Sequence, residues 1–143
     1  VKLSLLFLLI SFSLQGQNVI SFVFQPTDLG IGLRYDRKIN YTDGLYLSGT
    51  YGNYKLDNGS AVDNHIKISL GLTVDINEIS YLSIAPSYHF YGKQTNFFEP
   101  LPEIVKLPYS IDLGCGIKIN RYKIGFCMDF FKWESAINLG ICF

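Results

Sequence analysis

Between His65 and Ile76 the chain alternates apolar and polar residues without interruption. Ile66, Ile68, Leu70, Leu72, Val74 and Ile76 fall on one parity, and His65, Lys67, Ser69, Gly71, Thr73 and Asp75 on the other. A period of two is that of a β-strand with one apolar and one polar face. Six alternations span roughly 35 Å at about 3.3 Å per residue, longer than a common globular strand and sufficient to cross a bilayer at a tilt.

The same period recurs along the chain. Val19 to Gln25 sets Ile20, Phe22 and Phe24 against Ser21 and Val23, before a turn at Pro26-Thr27-Asp28. Leu29 to Asp36 and Leu45 to Tyr54 flank a polar turn, Arg37 to Gly44, and Lys55 to Asn64 reads as a polar loop. Within that loop Asn58-Gly59-Ser60 fits a glycosylation sequon but reads first as a loop turn. A tight turn near Asn77 and Glu78 leads to Tyr81 to Tyr91, where Pro86 predicts a bulge because proline cannot donate to the ladder. Gly92 to Pro108 is the longest connection. Tyr109 to Ile119, Tyr122 to Phe131 and Glu134 to Phe143 follow, joined at Asn120-Arg121 and Lys132-Trp133.

These are eight strands. Counted back from the C-terminus, the connections near 132, 92 to 108, 55 to 64 and 26 to 28 share one end, and those near 120, 77 and 37 to 44 the other. Long loops at one end and short turns at the other suit an up-and-down barrel of even strand number. The expected fold is therefore all-β, an eight-stranded antiparallel up-and-down barrel over residues 18–143.

Residues 1–17 read as a secretory signal: Lys2 is basic, Leu3 to Leu14 is almost wholly apolar, and the run is short for a transmembrane helix. Of the 12 Lys and Arg, 11 then remain against 12 Asp and Glu, so no imbalance points to nucleic acid. The charged fraction is 17%, below the roughly 25% of soluble domains, which suits a chain with little water-facing surface. Cys115, Cys127 and Cys142 show no metal-ligand spacing, and in hairpin register Cys115 and Cys127 point to opposite faces. They read as small apolar fillers rather than a disulfide.

Alternation alone allows two barrels, a membrane barrel with its apolar face outside or a soluble lipocalin-like binder with that face inside. The polar parity separates them. It carries Gly30, Gly32, Gly52, Gly71, Gly114, Gly116, Gly125 and Gly140, which would only weaken a solvated surface but make room inside a narrow lumen. It also carries Arg34, Asp36, Lys67, Asp75, Asp112, Lys118, Lys123, Asp129 and Glu134, near-balanced as a paired lumen requires. The apolar parity carries no charge, and a charge on a lipid face costs about 2–4 kcal/mol near the midplane. Tyr51, Tyr88, Phe90, Tyr109, Phe130 and Trp133 near one end, with Tyr35, Tyr122 and Phe143 near the other, are candidate aromatic girdles.

On these features the chain resembles the small eight-stranded outer-membrane barrels of Gram-negative bacteria, the OmpA and OmpX type, over Val19 to Phe143. The closing alternation Ile137, Leu139, Ile141 and Phe143 is similar to the signal by which the outer-membrane assembly machinery recognises its clients. The resemblance implies an outer-membrane location, with membrane lipid and that machinery as partners. Pro86 and the short first strand depart from the pattern.

Chemistry could lie at the long-loop mouth, where His65, Lys67, His89, Ser110, Asp112, Asp129 and Glu134 share the polar parity. A two-residue turn at Asn120-Arg121 sets Asp112 opposite Asp129 and Lys118 opposite Lys123, so each like-charged pair needs a third group. Some enzymes of this barrel class act on outer-membrane lipid with a His, a Ser and an acidic residue, which makes His89, Ser110, Asp112 and Asp129 the candidates for a deacylase or acyltransferase. No catalytic motif supports them, and a lumen charge network explains the same residues. A site from His65, His89 and an Asp is geometrically open, but with two histidines and no ligand spacing, neither a metal nor a cofactor is expected. Eight strands leave an interior that side chains fill, so an open pore is not expected either. The working surface is then the loop of 92–108, where Phe97, Phe98, Leu101, Ile104 and Val105 offer an outer-membrane protein partner an apolar contact.

Overall fold

The computed structural model describes residues 18–27, 29–55, 61–91, 94–95 and 107–143. The expected signal at 1–17 and the loop residues Phe97, Phe98, Leu101, Ile104 and Val105 lie outside them. Eight strands form the wall: β1 Asn18–Gln25, β2 Gly30–Lys38, β3 Asp43–Lys55, β4 Ala61–Asp75, β5 Ser80–Phe90, β6 Tyr109–Ile119, β7 Tyr122–Asp129 and β8 Ser135–Cys142. Each pairs antiparallel with its sequence neighbours, and β1 pairs with β8 from Val19↔Cys142 to Phe24↔Ile137, which closes the barrel. The seam is tied by the Asn18 and Phe143 backbones, each N–H donating to the other's carbonyl.

The turns are built by short polar side chains. Asn77 Oδ1 accepts from the N–H groups of Ile79 and Ser80, and Asn40 Oδ1 from those of Thr42 and Asp43. Asn120 takes φ 55°, the left-handed conformation that a two-residue hairpin turn requires and Asn tolerates.

The wall is inside-out relative to a soluble protein. Ile20, Phe22, Leu33, Leu47, Ile68, Leu70, Ile84, Leu113, Ile124 and Leu139 are exposed, while Arg34, Asp36, Lys67, Asp112, Lys123 and Asp129 are buried. A continuous apolar surface of this extent is rare on a water-soluble monomer and marks a face that meets lipid. Strand β6 has 11 residues, which at a tilt near 40° gives an apolar band roughly 25–30 Å tall. The candidate girdle residues are exposed at both ends of it, with Trp133 at 70%. Outward-facing Ile137, Leu139 and Ile141 belong to the same band.

Two expectations are corrected. Pro86 forms no bulge: β5 keeps one register against β4 from Ile66↔Phe90 to Asp75↔Tyr81, and one register against β6 through Pro86↔Ile111. The reason lies in the pleat. Residues 79 and 89 exchange bonds with the β6 side through Lys118 N–H and Pro108 C=O, so the Pro86 nitrogen faces β4. There the ladder simply lapses between Ser69↔Ser87 and Leu72↔Ile84. The loop expected over Lys55 to Asn64 is also shorter, because β3 and β4 stay paired to Tyr54↔Val62 and Lys55↔Ala61 after a register shift between Gly52 and Tyr54. The backbone of Gln94–Thr95 adds to the outer end of β4 at Val62 and Ala61. That polar composition concealed a strand because above a membrane both faces of a hairpin meet water.

Candidate functional site in the lumen

The polar parity of the eight strands delivers its side chains to one enclosed space, in which they segregate into two clusters. The cluster near the long-loop end is built on the β6–β7 register, which sets Asp112 opposite Asp129. Lys67 on β4 crosses the lumen to both, its Nζ donating to Asp112 Oδ1 at 2.5 Å and to Asp129 Oδ2 at 3.2 Å. Asp112 also accepts from Ser69 Oγ at 2.8 Å and Ser87 Oγ at 2.6 Å. Asp129 accepts from Ser110 Oγ at 2.6 Å and, on its other oxygen, from the backbone N–H groups of Phe131 and Lys132 at 3.0 Å each. The like-charged pair is thus held by one shared ammonium and a complete set of donors, the arrangement under which buried charges are tolerated.

Above it stand two imidazoles. The unbroken β3–β4 register sets His65 beside Gly52, just before the shift, and its ring lies 6° from the plane of His89 with His65 Nε2 2.8 Å from His89 Nδ1. The far nitrogen of His89, Nε2, lies 2.7 Å from Ser110 Oγ and 3.1 Å from Asp129 Oδ2. Because Ser110 donates its hydroxyl proton to Asp129, both atoms accept from His89, which fixes the proton on Nε2 and leaves Nδ1 as acceptor. Tyr91 stacks on His65, and Lys132 Nζ donates to the Tyr91 hydroxyl and to Leu107 O. Glu134 is buried beside them, within the electrostatic reach of Lys67 and Lys132.

The second cluster lies toward the short turns, where Lys118 is opposite Lys123. Lys123 Nζ donates to Asp36 at 2.7 Å, and Asp36 also receives Arg34 through Nε and Nη2, at 2.7 to 3.1 Å. Lys118 and Lys38 both pair with Asp75, the latter at 2.9 Å. Two tyrosines lie beside the charges: the Arg34 guanidinium sits 3.6 Å from the centre of the Tyr46 ring, and Lys123 Nζ 4.1 Å from that of Tyr81. Tyr81 fits only because of the next two strands, since a Cβ on Gly116 or Gly125 would collide with its ring or hydroxyl. Voids of about 30 Å³ and 20 Å³ remain among these side chains, each with room for on the order of one or two waters.

All nine charged residues read from the sequence pattern line this space, and His89, Ser110, Asp112 and Asp129 converge within it. The convergence is not that of a nucleophilic triad. Ser110 and Asp129 share the same imidazole nitrogen, whereas a triad needs its serine and its carboxylate on opposite nitrogens of the ring. Lys38, Lys132, Tyr46, Tyr81 and Asn138 also line the space, although the sequence reading had assigned them no role. Lys38 and Lys132 were hidden because they fall in turn sequences. Lys132 turns inward because Asp129 caps the turn, with Trp133 at φ 55° returning the chain to β8. The signal for Tyr81 was present, since a large residue on the polar parity lies in one row with Gly116 and Gly125 on the next two strands.

An apolar outer band around a polar, ion-paired interior defines a small transmembrane β-barrel. The fold is shared with the Yersinia pestis outer membrane protein Ail. Its backbone structure in phospholipid bilayer nanodiscs superimposes with a TM-score of 0.54 at 14% identity, over 90% of this chain and 100% of Ail. A crystal structure of Ail, the attachment invasion locus protein, gives 0.48 at 13% identity, over 91% of this chain and 100% of that one. No protein-family model and no curated protein sequence matches the chain.

Proposed function

We propose that the protein is an integral outer-membrane barrel with a filled lumen. It is exported by its 1–17 segment and acts as a structural or docking element through the loops at its long-loop end. The observation that supports this reading most is Lys67 bridging Asp112 and Asp129 in the interior, with Arg34 stacked on Tyr46 and Lys123 over Tyr81 filling the lumen toward the short turns. The docking surface is the loop of 92–108, with an outer-membrane or surface protein as partner.

Photo-crosslinkers placed at Phe97 and Ile104 in cells, followed by mild-detergent purification, are expected to trap one or a few defined outer-membrane or surface proteins. Removal of 96–106 is expected to abolish the copurification without loss of the barrel. Absence of any crosslink, with copurification unaltered by the deletion, would remove the docking role. Planar bilayers are expected to show no sustained conductance, and a stable ohmic channel would contradict the filled lumen.

The alternative reading, a lipid-modifying enzyme, predicts that His89→Ala changes the lipid A profile of the host membrane. The shared nitrogen of His89 argues for an unchanged profile.

A further inference from the structure

The histidine pair at the outer mouth carries an inference beyond a structural network. One ring nitrogen of His65, one of His89 and a carboxylate oxygen of Glu134 all lie within 4.8 Å of one another, and all three residues are buried. They come from three separate places, the start of β4, the end of β5 and the turn before β8, and converge on one point. Two imidazole nitrogens and a carboxylate are a donor set for a late first-row divalent cation, zinc above all, with a fourth position left for water or an incoming ligand.

The second observation lies behind the ligands. A metal-bound histidine characteristically donates its other N–H to a carboxylate, which orients the ring and makes the coordinating nitrogen more basic. His89 already has that arrangement: Nε2–H points at Asp129 and Ser110, while Nδ1 is the unprotonated nitrogen facing His65. Asp129 is in turn fixed by Lys67, Ser110 and two backbone N–H groups. Charge agrees as well. Among the described residues of this mouth, Asp112, Asp129 and Glu134 face Lys67 and Lys132, one negative charge in excess while the imidazoles are neutral.

We propose that His65, His89 and Glu134 form a binding site for Zn²⁺ at the long-loop mouth, clamping β4, β5 and the β7–β8 turn together. Binding requires His65 to carry its proton on Nδ1 instead of Nε2. The two nitrogens, now 2.8 Å apart, must open to about 3.3 Å around bonds of about 2.0–2.1 Å, while Glu134 draws in. Zn²⁺ then replaces the proton that the two imidazoles share in the free barrel, and no proton is released overall from the ligand set.

The test uses the full-length barrel purified in detergent without a polyhistidine tag. X-ray absorption of the Zn²⁺ complex is expected to show one zinc per chain with two imidazoles and oxygen, and no sulfur, in its shell. The Co²⁺ complex is expected to show the intense visible absorption of four-coordination. His65→Gln and Glu134→Gln are expected to weaken Zn²⁺ at least about tenfold in competition titrations. Glu78→Gln, in an exposed turn at the opposite mouth, leaves binding unchanged. Wild-type barrel that takes up no stoichiometric zinc, a shell containing sulfur or a single imidazole, or full affinity in folded His65→Gln and Glu134→Gln variants would each overturn the site. If a variant does not fold, the absorption spectrum of the wild-type complex decides alone.

Discussion

At the scale of single residues, the molecule depends on charges that satisfy one another in register. Asp112 and Asp129 face each other because β6 and β7 are joined by two residues, and Lys67 makes that pairing tolerable. Breaking a buried pair by removing one partner costs about 3–5 kcal/mol, because it leaves a buried charge without compensation. Lys67→Met is therefore expected to destabilise the barrel by that order in urea unfolding from lipid vesicles. Adding Asp112→Asn should recover a substantial part of the loss, and equal stability of the single and double variants would contradict the bridge. Tyr81 makes the complementary case for space. Gly125→Val places a branched side chain where the Tyr81 hydroxyl and the Asn138 amide lie, and overpacking of this kind costs about 1–3 kcal/mol. The same unfolding assay should show Tyr81→Ala relieving that penalty in the double variant.

At the scale of elements, parity was legible in the sequence and boundaries were less so. The alternation of His65 to Ile76 placed every side chain of that stretch on its face, because a one-residue slip would have exchanged lipid and lumen for the whole strand. Composition alone could not show that β2 runs on to Lys38, that β3 and β4 continue above the apolar band, or that Lys132 folds inward from a turn. The first two depend on the pairing of neighbouring strands, and the last on a cap made by Asp129, three positions earlier. Pro86 shows a further limit. The sequence marks a missing donor, yet whether a strand bulges or only skips a bond depends on which neighbour the nitrogen faces, and that is fixed by the pairing. Pro86→Ala restores an N–H worth about 0.5–1.5 kcal/mol when bonded, but frees the unfolded chain at a cost of about 0.4–1 kcal/mol. The two nearly cancel, so the expected change in stability is under about 1 kcal/mol, with a newly protected amide at position 86 in hydrogen exchange.

At the scale of the whole molecule, the candidate site was legible as a set of residues but not as a geometry. The pattern put His65, His89 and the acids at one mouth. Only the registers of β4 to β7 and the side-chain conformations they impose could show that the two imidazoles meet nitrogen to nitrogen, and that Asp129 rather than another carboxylate backs His89. The inverted wall is itself testable by depth. Leu70→Arg, at the middle of β4, is expected to cost about 2–4 kcal/mol in bilayers, and Ile76→Arg, just past its short-turn end, about 0–1 kcal/mol. Equal effects at the two positions would contradict a membrane-spanning wall.

Closure also removes every free edge from the wall, since β1 and β8 complete the ring. Strand β3 nevertheless outruns β2: the last β2 pairing is Ile31↔Tyr51, while β3 continues to Lys55 with β4 on one side only. Among the described residues, Tyr54 and Lys55 thus carry a strand pairing on the β4 side alone, above the apolar band. An extended segment of another protein can add there as one more strand. Such a partner would be selected first by its capacity to lie straight and bond through its main chain, and only secondarily by its side chains.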